Sequence, residues 1–224
     1  MLTVHHLNNS RSQRVLWLLE ELELPYEIVH YQRDPRTMLA PASLRAVHPL
    51  GKSPVVTTDD GLTLAESGAI IETVIERYGN GRLAPAAGSL EAVRYRYWLH
   101  FAEGTAMSPL LMKLIFDRIE TSRMPFFARP VAKAIAAKTK SAFIHPNIAN
   151  HLNYMEAELG KSEWFAGDAF TGADIQLSFV VEAAQARGGL DAKRPKLMAY
   201  LERIHSRPAY KRALERGGPY ELLS

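Results

Sequence analysis

A chain of 224 residues with 47% hydrophobic and 23% charged side chains has a soluble globular composition, sized for one mid-sized domain or two small ones and far from disorder. Its formal net charge is only +3 and the basic residues are dispersed, which argues against a nucleic-acid partner. Cysteine is absent, which excludes disulfides, thiolate metal sites, CxxC redox pairs and cysteine nucleophiles, so any thiol chemistry must use a thiol that a ligand brings.

No apolar run approaches the roughly 18 residues of a spanning helix, and the start MLTVHHLNNS lacks the profile of a secretory signal. The expected location is therefore cytoplasmic, without a membrane partner. A metal site is not expected. His5 and His6 are adjacent on a probable strand and point to opposite faces, and His145 and His151 lack a ligand partner at helical spacing.

In chain order, Leu2 to Leu7 reads as a first strand that ends at Asn8 and Asn9. Val15, Leu18, Leu19 and Leu22 then form one apolar stripe of a helix, with Glu20, Glu21 and Glu23 largely off it and Pro25 as its stop. Tyr26 to Tyr31 is aromatic and β-branched, a second strand that completes a parallel βαβ unit. An irregular link follows. Next, SPVV and TTDDGLTLA predict two short strands around an Asp60-Gly61 turn. Ile71, Val74, Ile75 and Tyr78 repeat the helical stripe, which Gly79-Asn80-Gly81 ends.

Beyond about Ala84 the pattern is helical throughout, broken only at Pro and Gly positions. The short linker LAPAAGS divides the chain into an α+β unit, βαβ then ββα, at residues 1–82 and an all-α unit at residues 89–224.

Ser10 and Gln13 form an S-x-x-Q box ahead of the first helical stripe, so Ser10 reads as an N-cap. A hydroxyl at a helix N-terminus is also placed to hydrogen-bond a thiolate, whose charge the macrodipole favours. Thr171 and Asp174 form a second box, which is structural, with Phe170 and Ile175 placed to pack as a staple.

Four segments in order, NNSRSQRVLWLLEEL, HPLGKSPVV, LAESGAI and FTGADI, resemble the serine-type cytosolic glutathione S-transferases, in particular the fungal and bacterial branch with SRxxR and HPLGxSP signatures. The resemblance covers essentially the whole chain. It implies a thioredoxin-like first unit and an enzyme that ionises glutathione to a thiolate and transfers it to a small hydrophobic electrophile. Glutathione is then a co-substrate, and no tightly bound cofactor is needed.

Residue by residue, the resemblance implies that Ser10 faces the sulfur, with Asn9 and Ser12 as rivals for that position. Arg11 and Arg14 either set a positive field there or pair with Glu20 and Glu21. Lys52 meets the glycyl carboxylate, the Ser53 backbone pairs with the cysteinyl unit beside a cis Pro54, Glu66 takes the ammonium, and Ser67 caps its helix and offers donors to the γ-glutamyl carboxylate. His100, Glu103 and Met107, at helical spacing, border the second-substrate pocket. The family further implies a homodimer, for which Arg94, Tyr97 and Trp98 suit an interface. The alternatives are a non-catalytic ligand carrier or assembly module on the same architecture, and glutathione-dependent peroxide or disulfide reduction.

Overall fold

A computed structural model describes residues 1–220 and builds the first half around a four-stranded sheet of order β2-β1-β3-β4. β1 (Leu2–Leu7) runs parallel to β2 (Tyr26–Tyr31), in register from Leu2 opposite Tyr26 to Leu7 opposite Tyr31, because α1 (Ser12–Glu21) supplies the crossover. β3 (Val55–Thr57) lies antiparallel to β1 and pairs with β4 (Thr63–Ala65) across a turn in which Gly61 takes a left-handed φ of 83°. The hairpin expected at Asp60-Gly61 is thus present, and α3 (Ser67–Tyr78) follows it.

The link between β2 and β3 departs from the expectation of irregular chain. It contains α2 (Ala42–Val47), a helix of under two turns in which only Leu44 is buried. One buried residue produces no periodicity, so the sequence pattern is silent there.

Among the described residues the second half is helical and without strands: α4 (Leu90–Phe101), α5 (Met107–Thr121), α6 (Arg129–Thr139), α7 (His145–Leu159), α8 (Gly172–Ala183), α9 (Pro195–Ser206) and α10 (Pro208–Gly217). Single π-helical turns at Ala102–Ala106, Lys140–Ile144 and Ala184–Gly188 extend α4, α6 and α8. Every residue of α8 is buried, which makes it the central post of this half.

α1 is buried almost all round, from Ser12 to Glu20, because the sheet covers one side while α8 and α10 pack on the other. Trp17 meets Tyr210 edge-on at 5.1 Å and Phe170 at 5.4 Å. The acids off its apolar stripe are not left to water. Glu20 binds Arg212 at 2.8 Å, Arg216 at 2.9 Å and the Tyr26 hydroxyl at 2.7 Å, while Glu21 accepts two bonds from Arg207 at 2.5 and 2.9 Å.

The Thr171 and Asp174 box forms as expected. Thr171 Oγ1 accepts from Ala173 N at 3.3 Å, and Asp174 accepts from Thr171 N at 2.9 Å and Phe165 N at 3.0 Å. Phe170 packs on the ring of Trp17 at 5.4 Å and on that of Trp164 at 4.9 Å. Burial pushes the Asp174 carboxyl up to about 6 against these two amides and the Thr171 hydroxyl, which donates to it at 3.1 Å. Asp174→Ala orphans two buried amides, and the expected loss is about 3 kcal/mol in a urea titration, with the turnover of the folded fraction retained. A change below about 0.5 kcal/mol contradicts that role.

Candidate functional site

The strand register brings three segments to one end of the sheet. His5 opposite Val55 and Val55 opposite Ala65 put the exit of β1, the Ser53-Pro54 entry to β3 and the Glu66-Ser67 exit of β4 side by side. These are the segments that the sequence pattern singles out. The Ser53–Pro54 peptide is cis.

At the exit of β1, Asn9 takes a left-handed φ of 50° and turns the chain toward α1. The turn is held by Arg33, whose backbone N donates to Asn8 Oδ1 at 3.0 Å and whose guanidinium reaches Asn9 O at 3.4 Å and Met38 O at 3.2 Å. The S-x-x-Q box forms only in part. α1 starts at Ser12 with Arg11 in the cap position, and Ser10 Oγ accepts from Ser12 N at 3.2 Å. No bond from the Ser10 amide to the Gln13 side chain is found among the described residues, and Gln13 Nε2 is buried there without a partner.

Three serines and a histidine form a chain of hydrogen bonds behind this turn. Ser12 Oγ lies 2.9 Å from His6 Nδ1 and 2.7 Å from Ser10 Oγ, and Ser10 Oγ lies 3.4 Å from Ser53 Oγ. The Ser53 hydroxyl is itself committed to β1, donating to His5 O at 2.9 Å and accepting from Leu7 N at 3.2 Å. Burial and then His30 push the His6 imidazole down to about 4, so the ring is neutral at ordinary pH and Nδ1 is free to accept from Ser12. Ser12 is fully buried, Ser10 nearly so, and Asn9 and Arg11 line the adjacent cleft.

Arg11 and Arg14 do not pair with Glu20 or Glu21, contrary to one expectation. Both reach across to Glu103 Oε1, at 2.8 Å from Arg11 Nε and 2.5 Å from Arg14. Arg14 is wholly buried and also donates to Gln176 O at 2.6 Å, while Arg11 lies over the Phe179 ring at 4.8 Å. Burial pushes the Glu103 carboxyl up, but Arg14 and Arg11 together outweigh it and hold it below its ordinary value. Glu103 therefore ties the two halves together behind Arg11, and unlike Arg11 it is not among the residues that line the cleft.

The remaining expected residues are placed as follows. Lys52 and Glu66 are exposed, Ser53 is half-buried, and Pro54 and Ser67 are buried. Ser67 is the first helical residue of α3 and does not cap it; the cap position belongs to Glu66, at a left-handed φ of 69° and without a side-chain cap bond. Met107 lines the cleft, whereas His100 is exposed on α4 and does not. The π-helical turn at Ala102–Ala106 breaks the helical spacing that seemed to put His100 and Met107 on one face.

The cleft itself, about 540 Å³, lies between the β1 exit and the helical half. Sequence reasoning missed Arg33, Arg118, Phe179 and Arg187 in its lining. They come from four separate segments, and no spacing rule connects them. Arg94 and Trp98, expected at an interface, are occupied within the chain: Arg94 binds Glu158 at 3.0 Å, and Trp98 is buried.

Comparison with known proteins agrees with this architecture. A family model of the glutathione S-transferase N-terminal domain matches residues 10–77, and one of the C-terminal domain matches residues 119–208. Glutathione S-transferase 3 of Schizosaccharomyces pombe is 37% identical over 218 residues, covering 96% of this chain and 88% of its own. A crystal structure of a glutathione S-transferase from Actinobacillus pleuropneumoniae superposes with a TM-score of 0.79 at 33% identity, covering 100% of this chain and 96% of that one. A sphingomonad glutathione S-transferase solved in complex with glutathione does so with a TM-score of 0.71 at 29% identity, covering 96% of this chain and 98% of that one. With both halves matched and relatives aligned over nearly its whole length, the chain belongs to the glutathione S-transferase family.

Proposed function

We propose that this glutathione S-transferase is of the serine type, with glutathione bound at the sheet end where Ser53, Glu66 and Ser67 meet and its sulfur beside Ser10 at the start of α1. The observation that carries this reading is the convergence of those segments next to an open cleft. In the reaction the thiol proton passes to solvent, the sulfur lone pair forms the new bond to an apolar electrophile in the cleft, and the leaving group departs with its electron pair. The boundary between the two units falls between residues 82 and 89.

The protein's share of the work is to make the thiolate accessible near neutral pH. Lowering a thiol pKa from about 8.5 to about 6.5 takes roughly 2.7 kcal/mol, the scale of one charge-assisted hydrogen bond aided by a helix N-terminus and by Arg11. Ser10 is favoured over its rivals by position. Ser12 is sealed inside with His6, and the backbone oxygen of Asn9, a residue that lines the cleft, is engaged by Arg33. A Ser10 hydroxyl that turns to the sulfur gives up its bond to Ser12, so the net gain is smaller than a free hydroxyl would supply.

Two further points belong to the proposal. Among the described residues no helix is long and apolar enough to cross a membrane, which fits a cytoplasmic enzyme whose role is detoxification of electrophiles. Leu90, Val93 and Tyr97 form an exposed apolar stripe at helical spacing along α4, and this stripe supports a two-fold homodimer. Sedimentation equilibrium is expected to give twice the chain mass, and a monomer at micromolar concentration overturns the dimer.

Ser10→Ala is expected to leave glutathione affinity nearly intact, because contacts along the peptide supply it. The pKa of the bound thiol should rise by about one unit, with a matching fall in rate near neutral pH that higher pH recovers. The thiolate ultraviolet band and the pH-rate profile read both. If Asn9→Ala or Ser12→Ala produces the shift and Ser10→Ala does not, the stabilising group belongs to that neighbour.

A further inference from the structure

Four arginines face one cleft: Arg11 and Arg33 from the first half, Arg118 from α5 and Arg187 from the π-helical turn after α8. The carboxylate that reaches one of them, Glu103, spends its bonds on Arg11 and Arg14 and is not part of the lining. Among the described residues no carboxylate pairs with Arg33, Arg118 or Arg187. Arg33 donates to the carbonyl oxygens of Met38 and Asn9, and the Nε of Arg187 is buried without a hydrogen-bond partner.

The charges also act on one another. Burial, then Arg11 and Arg118, holds the Arg33 guanidinium below its ordinary value. Arg187 is held down by burial and by the same two arginines, against the opposing effect of Tyr220. Like charges gathered in a partly dry cavity repel, and a bound anion relieves that repulsion. Apart from Asn9 the rest of the lining is apolar, with Met107, Leu111, Leu114 and Phe179 offering surface for an aromatic or aliphatic body. Lys52 and Glu66 are not in this lining, and Arg118 and Arg187 stand on the helical half.

We propose that the second substrate of this enzyme is an apolar electrophile that carries an anionic group, a carboxylate or sulfonate, held by Arg118 and Arg187 with Arg33 at the rim of the same cleft. The inference rests on the transferase reading above and narrows it to a substrate class. The anion anchors one end of the molecule and leaves its electrophilic carbon toward the start of α1.

The probes are chlorodinitrobenzoate, which is anionic, and chlorodinitrobenzene, its neutral counterpart. With either one the glutathione sulfur forms a bond to the ring carbon bearing chlorine, the chlorine leaves as chloride with the electron pair of that bond, and the thiol proton goes to solvent. The parent is expected to favour the anionic probe in kcat/KM after correction for the uncatalysed rates. Arg118→Gln and Arg187→Gln should each lower that preference about ten-fold, as the loss of a charge-assisted bond implies, and Arg187→Lys should restore part of it.

A preference that is unchanged in both variants overturns the proposal. So does a rise confined to the KM for glutathione, which assigns the arginines to a carboxylate of glutathione instead. Titration calorimetry with dinitrobenzoate and dinitrobenzene, neither of which has a chlorine to displace, separates the two levels of the reading. Absence of turnover with retained, arginine-dependent binding of dinitrobenzoate removes the transferase reading and keeps the anion site. Turnover without any anionic preference or dinitrobenzoate binding removes the anion site and keeps the transferase.

Discussion

α1 has no solvent-facing side, and most of what positions the site follows from that. A ten-residue helix packed between a sheet and a helical layer must bury its polar residues along with its apolar ones. Burying an unpaired charge is costly, so each one needs a partner brought from elsewhere in the chain. Arg14 finds Glu103, Glu20 finds Arg212 and Arg216, and Glu21 finds Arg207. All these partners lie in the helical half. The start of α1 is therefore held by residues that the sheet domain does not contain.

The same constraint shapes the chemistry. Because Ser12 is inside, its hydroxyl completes a bond to His6 and fixes the place of Ser10, whose own oxygen accepts the Ser12 amide. Ser53 shows a related division of labour. Its hydroxyl is used to fasten the loop to β1, accepting from Leu7 and donating to His5. The side chain beside the cis Pro54 thus gains a structural bond, and the backbone remains the part that can meet a peptide.

The strands, the two stripe-bearing helices of the first half and the Thr171-Asp174 box were legible because each leaves a local pattern. Alternation marks β1, the i, i+3, i+4 rows mark α1 and α3, and a capping box is contained within four residues. What stayed hidden is of another kind. α2 buries Leu44 alone and has no stripe to read. The π-helical turn after Phe101 changes the helical phase, so spacing that seemed to align His100 with Met107 fails across it. Glu103 as the partner of Arg14 involves residues 89 positions apart, and the nearer acids Glu20 and Glu21 were the plausible choice until the fold supplied arginines from α10 and the turn before it. The arginine-lined cleft draws on segments from both halves and has no signature in any one of them.

If the ties from the helical half hold α1 in place, the Arg14–Glu103 pair is the one to interrogate. The direct measurement is a double-mutant cycle on unfolding free energy with Arg14→Met and Glu103→Leu. Glu103→Leu, which strands the wholly buried Arg14, should cost about 3 kcal/mol or more, and Arg14→Met, which leaves Glu103 its bond to Arg11, should cost less. The double variant, with both charges removed, should cost much less than the two together, leaving a coupling energy of at least about 1 kcal/mol. Costs that simply add, to within about 0.5 kcal/mol, would show that the pair does not tie the halves and would contradict the account.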